Sequence, residues 1–88
     1  MASFDDIAAR VREITGKMSP LGERTATSDE RLIEDLGYDS VTFMELSLAL
    51  EGEFDINVIE EDAVADLATV GDVERLIGKV TGAAPQDA

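Results

Sequence analysis

The sequence predicts an all-α domain, a small bundle of three main helices plus one short helix, and three observations carry that prediction. Apolar residues recur at helical spacing in three separate stretches. Two of those stretches are preceded by a hydroxyl residue with an aspartate three positions later, the pattern of a capping box. No stretch alternates apolar and polar residues as a half-buried strand would, and no internal repeat is visible. A chain of 88 residues supports one compact core, and a domain of that size buries only about 60% of its unfolded surface, so a deep active-site cavity is not expected. Apolar residues make up 44% of the chain against 31% charged, enough to build that core.

The first helix is expected over about residues 3–15. Phe4, Ile7, Ala8, Val11 and Ile14 share one face, Ser3 and Asp6 form the capping pair, and Gly16 is the stop signal. The segment KMSPLGERTATSD, Lys17 to Asp29, holds Pro20, Gly22 and several hydroxyl residues without a period, and reads as a long loop. Leu21, Leu32, Ile33 and Leu36 are the residues available to pin it to the core.

The second helix is expected over 40–54, opening at Asp39 or Ser40 and spanning roughly 20 Å. It has two apolar stripes. Phe43, Leu46, Leu50 and Phe54 fall in one arc, while Val41, Met44 and Leu48 gather on another about 135° away. The first faces the core. Two roles are open to the second: contact with a neighbouring part of the domain, or an exposed strip for a partner, bordered by Glu45 and Glu51. A short third helix is expected over 60–67, acidic at its amino end where the helix dipole favours negative charge. The last helix is expected over 70–81, with Thr69 and Asp72 as its capping pair, Val73, Leu76, Ile77 and Val80 on its inner face, and Gly82 at its end. The folded domain then covers 1–82, and the tail 83–88 is expected to be disordered.

Composition excludes several functions. The chain has no cysteine and no histidine, which removes disulfides, thiolate chemistry, the common zinc ligands and the most frequent general base. No EF-hand loop fits: counting from Asp55, Ile59 and Glu60 stand where an oxygen ligand and a glycine belong. The amino terminus lacks the features of a secretory signal, and no apolar run approaches the roughly 20 residues of a membrane span, so a cytoplasmic location is expected. The net charge of -13 is concentrated: Leu32 to Glu74 holds 13 of the 20 acidic residues and none of the 7 basic ones. Nucleic acid is therefore not an expected partner. The charge serves either solubility or the attraction of a basic protein surface.

The stretch LGYDSVTFMELSLALEGEF, Leu36 to Phe54, resembles the attachment segment of acyl carrier proteins, the phosphopantetheine-bearing domains of fatty-acid and polyketide biosynthesis. The features that coincide are Leu-Gly-x-Asp-Ser, the Met-Glu-Leu that follows on an acidic helix, and the Leu-Glu-x-Glu-Phe close. The order of helix, long loop, helix, short helix and helix extends the likeness over nearly the whole chain. Read alone, Asp39-Ser40 would be a plain helix cap worth about 1 kcal/mol, either with Ser40 capping or with Asp39 as the cap and Ser40 the first helical residue.

The resemblance implies instead that Ser40 receives a 4′-phosphopantetheine arm from coenzyme A, delivered by a phosphopantetheinyl transferase with magnesium, and that acyl groups ride as thioesters on its thiol. The thiol arrives with the prosthetic group and the chemistry belongs to other enzymes, which suits a chain without cysteine or histidine. It implies a carrier and not an enzyme, monomeric, with Asp39 as part of the recognition motif. It also implies Val41, Met44 and Leu48 as a contact strip, and Glu45, Glu51, Glu60 and Glu61 as partners for basic residues on ketosynthase, acyltransferase and related enzymes. Gly37 permits a tight turn and Tyr38 covers the core edge. Ser47 in the core arc and Gly52 near the helix end depart from the family pattern. The first residue, Met1, and the short tail favour a freestanding chain; LGYDS resembles polyketide and fatty-acid carriers equally, while the long first loop and Tyr38 favour a polyketide or another specialised pathway. Two other readings stand beside this one: an aminoacyl or peptidyl carrier, and an acidic helical adaptor in which Ser40 only caps a helix.

Overall fold

The computed structural model describes residues 3–56 and 67–82. Three helices organise them: α1, Phe4–Lys17; α2, Ser40–Phe54; and α3, Val70–Thr81. No strand occurs among the described residues, where the one β feature is an isolated antiparallel bridge between Arg31 and Thr69. This is the all-α architecture that the periodicity predicts. The short helix expected over 60–67 lies outside the described residues except for Leu67, and the tail 83–88 lies outside them entirely.

Local hydrogen bonding sets each helix start. In α1 the Asp6 amide donates to Ser3 Oγ at 3.2 Å, and the Ser3 amide donates to Asp6 Oδ2 at 3.4 Å. In α3 the Asp72 amide donates to Thr69 Oγ1 at 3.2 Å and the Thr69 amide to Asp72 Oδ2 at 3.0 Å. Each box satisfies amides that have no partner inside the helix. The Asp72 carboxyl is held below its ordinary value, mainly by the Ala68 amide, so the α3 box stays charged.

The end of α1 differs from the expected stop at Gly16. The helix continues to Lys17, and Gly16 answers a long-range need instead. A Cβ there would stand 1.9 Å from the Arg24 carbonyl oxygen, and the Arg24 amide donates to the Gly16 carbonyl at 3.1 Å. The glycine marks where the loop crosses the helix.

Two of the four expected loop pins act as such. Leu32 and Leu36 are buried, together with Ala26, whereas Leu21 and Ile33 are exposed. Polar contacts replace the missing apolar ones. Ser19 Oγ donates to the Leu36 carbonyl at 2.7 Å, the Ala26 amide donates to the Arg12 carbonyl at 3.2 Å, and the Gly71 amide donates to the Ser28 carbonyl at 2.7 Å. Across the bridge, the Leu32 amide donates to Ala68 and the Val70 amide to Glu30, both at 3.0 Å.

The core is built from Ile7, Val11 and Ile14 of α1, Leu46 and Leu50 of α2, and Val70, Val73 and Ile77 of α3, with Leu32, Leu36 and Tyr38 from the loop. On α3 the buried stripe is rotated from the expected one: Val80 is exposed and Leu76 half-buried, while Glu74 is buried. A buried carboxylate needs partners, and Glu74 has Arg12 Nη1 at 3.3 Å and Ser28 Oγ, donating at 2.5 Å. Three elements thus meet at one side chain.

Candidate functional site

The approach to α2 alternates anchors and freedom. Leu36 is buried. Gly37 turns the chain at φ 79°, a left-handed conformation that a side chain resists. Tyr38 goes beyond covering the core edge: its ring is buried, its hydroxyl donates to the Thr15 carbonyl at 2.6 Å, and Phe43 lies against it with ring centroids 6.4 Å apart. Burial pushes the Tyr38 hydroxyl up to about 12, so it remains a donor at all physiological pH.

Asp39 then caps the helix. The Thr42 amide donates to Asp39 Oδ1 at 2.9 Å and the Asp39 amide to Thr42 Oγ1 at 2.8 Å, closing a third capping box. The Thr42 amide, followed by the Thr42 hydroxyl, holds the Asp39 carboxyl below its ordinary value, so the cap is ionised at neutral pH. Ser40 is therefore the first helical residue and not the cap. Its side chain is exposed, and among the described residues its hydroxyl has no hydrogen-bond partner. The capping role that a lone Asp-Ser pair leaves open between its two residues belongs to Asp39.

Along α2 the two stripes separate cleanly. Leu46 and Leu50 are buried, Phe43 and Phe54 pack half-buried against the core, and Val41, Met44 and Leu48 stand 67%, 67% and 63% exposed. Periodicity alone left the second stripe's surroundings open; its residues face outward. Glu45 is exposed and Glu51 half-buried, while Glu60 and Glu61 lie outside the described residues. Ser47 satisfies its hydroxyl within the helix, donating to the Phe43 carbonyl at 3.0 Å. Gly52 is exposed, with open space where a Cβ would lie.

No group of three or more metal-ligating side chains occurs among the described residues, and no described helix is long and apolar enough to cross a membrane. A groove of about 620 Å³ runs between α1, the loop and α2, over Ile14, Met18 and Ala49, but its lining includes neither Ser40 nor its turn. Arg10 of α1 and Glu53 of α2, which pair at 2.9 Å, both border it.

Fold and site together define a small helical domain that presents a serine hydroxyl at a helix entrance. The sequence profile of the phosphopantetheine attachment site family matches residues 5–77. The chain is 39% identical over 80 residues to an acyl carrier protein of Sulfurovum sp., covering 91% of this chain and 100% of that one. It is 39% identical over 77 residues to one from Wolinella succinogenes, covering 88% and 95%, and 34% identical over 82 residues to one from Thermotoga maritima, covering 93% and 100%. The chain belongs to the acyl carrier protein family. Its fold is that family's, its prosthetic group is 4′-phosphopantetheine, and at the family level it carries and does not catalyse.

The environment of Ser40 fits such a group. An exposed hydroxyl at position N1 can be reached from outside, and the positive dipole end of a helix favours a phosphodiester. When bound, the group supplies a thiol that the chain itself lacks.

Proposed function

We propose that Ser40 is the attachment residue, and that the chain carries acyl or polyketide intermediates as thioesters between enzymes of polyketide or fatty-acid biosynthesis in the cytoplasm, as a monomer. The observation that carries this reading is the placement of Ser40: exposed, first in α2, directly after an ionised cap, and with no hydrogen bond to its hydroxyl among the described residues. In loading, Ser40 Oγ forms a bond to the phosphorus that bears pantetheine. The pyrophosphate link of coenzyme A breaks, adenosine bisphosphate leaves with the electron pair, and the hydroxyl proton passes to a base on the transferase. This chain's part is to hold the serine steady. Tyr38 and Leu36 fix the turn from below, and the Asp39–Thr42 box fixes the first helical turn. The long first loop and Tyr38 favour a polyketide or another specialised pathway over fatty-acid biosynthesis.

The docking face in this reading is Val41, Met44 and Leu48, with Glu45, Glu51, Glu60 and Glu61 meeting basic residues on the transferase, ketosynthase and acyltransferase. Asp39 belongs to the recognised motif. The exposure of the apolar strip supports this assignment, as does the absence of any basic residue from Leu32 to Glu74. Exposed ion pairs contribute only about 0–1 kcal/mol each, which suits a shuttle that must release its partner.

Intact mass after incubation with coenzyme A, magnesium and a transferase of broad acceptor range tests the attachment. The wild-type chain is expected to gain one phosphopantetheine and Ser40→Ala none; a gain that survives Ser40→Ala would assign another residue. For the charged border, Glu45→Lys is expected to slow loading several-fold at low salt and little at high salt, because screening shortens the reach of charge to about 8 Å at physiological ionic strength. A rate and a salt dependence equal to wild type would leave Glu45 a role in solubility alone.

A further inference from the structure

Two apolar side chains of the loop before α2 stand outside this account. Leu21 is 70% exposed and Ile33 72%, more than any residue of the α2 strip. Neither belongs to a loosely held segment. Leu21 lies on the turn that leads into α2, close enough that a Cβ on Gly37 would stand 2.6 Å from Leu21 Cγ. The Ile33 carbonyl accepts the Gly37 amide at 3.1 Å. That turn is fixed beneath by the Ser19–Leu36 and Tyr38–Thr15 hydrogen bonds and by the Tyr38 amide, which donates to Leu32 at 2.9 Å. Leu32 and Leu36 take the buried positions, and the same turn holds Leu21 and Ile33 out in solvent.

Along the backbone, this exposed pair precedes Ser40 and the α2 strip follows it. Charge around the pair is acidic. From Leu21 to Asp39 six acidic residues stand against two basic ones, Arg24 and Arg31, and these are engaged by Glu30 and Glu34. An enzyme that brings its active site to Ser40 Oγ must cover the surface around it.

We infer that Leu21 and Ile33 form a second apolar lip beside Ser40, and that the phosphopantetheinyl transferase seats on this lip and on the α2 strip together, through an apolar surface rimmed with cationic side chains. The inference rests on Ser40 being the attachment residue. A second copy of this chain is the poorer occupant: with a net charge of -13, it would bring like charges face to face.

The test is the rate of loading by the same transferase against concentration of the full apo chain, for wild type, Leu21→Ser, Ile33→Ser and the double variant. The expected result is a KM raised about tenfold in the double variant and about threefold in each single one, with kcat within twofold of wild type. Ile33→Gln keeps bulk, does not involve the Leu21–Gly37 contact, and carries the test alone if the double variant loses its helical circular dichroism. A KM within twofold of wild type in variants that remain folded overturns the lip. So does a wild-type dimer in sedimentation that the double variant abolishes while KM stays unchanged, since the lip then serves a second copy. Failure of the wild-type chain to gain mass at Ser40 is a separate result, which overturns the attachment reading and the lip with it.

Discussion

Gly16→Ala is expected to lower the free energy of unfolding by about 2 kcal/mol or more, although alanine is the better helix former. Two effects oppose one another. In a helix interior, alanine is favoured over glycine by about 1 kcal/mol. Against this, the new Cβ would meet the Arg24 carbonyl oxygen at 1.9 Å and the Ala26 amide nitrogen at 2.6 Å. Both are backbone atoms, so no rotamer change relieves the clash, and either α1 or the loop must shift. Overpacking of this kind costs about 1–3 kcal/mol and occasionally more. The shift would also strain the Arg24–Gly16 and Ala26–Arg12 hydrogen bonds, which adds to the loss. At about 4–8 °C per kcal/mol for a domain of this size, the melting temperature should fall by about 10 °C. Gly52→Ala is the control: nothing lies within 4 Å of its Cβ, so alanine there should leave stability equal or slightly raised. A Gly16→Ala protein as stable as wild type in urea titration would show that the loop does not cross the helix at this point.

The contrast between Gly16 and the capping boxes separates what the sequence expresses locally from what it does not. Ser3 with Asp6, and Thr69 with Asp72, act across three residues of one chain segment, so their spacing alone reveals them. Gly16 looks like another local signal, a helix stop, yet its partner is Arg24 on a different element. The same limit explains the loop. Leu21, Leu32, Ile33 and Leu36 are equivalent in hydropathy, and only the tertiary hydrogen bonds through Ser19, Tyr38 and Ala68 decide which two are buried. Glu74 is the extreme case, since a charged residue on the inner face contradicts the apolar pattern until Arg12 and Ser28 are brought to it. At the site, the start of α2 at Asp39 or Ser40 was legible from the sequence, and the hydrogen bonds with Thr42 assign the cap to Asp39. The exposure of Val41, Met44 and Leu48 was not, because periodicity gives a direction around the α2 axis and not what lies in that direction.

The two faces of α2 are expected to respond oppositely to truncation, and the difference is the second large effect. Leu46 is fully buried and, with Leu50, belongs to the core that α1, α2, α3 and the loop build together. Leu46→Ala should cost about 2–5 kcal/mol, through lost transfer free energy and the cavity left behind. A domain this small has a total stability of only about 5–15 kcal/mol, so this one truncation removes a large share of it. Met44 lies two residues earlier and is 67% exposed; Met44→Ala should change stability by no more than about 0.5 kcal/mol. Urea midpoints measure both, and a Met44 effect equal to that of Leu46 would place its side chain in the core. Loading by the transferase should separate the pair differently. Folded Leu46→Ala protein should react as wild type does, whereas Met44→Asp should raise KM several-fold while leaving the melting temperature nearly unchanged. Between Phe43 and Leu50 the helix thus divides its apolar residues between a buried set that holds the bundle together and an exposed set, and its stability depends on the first alone.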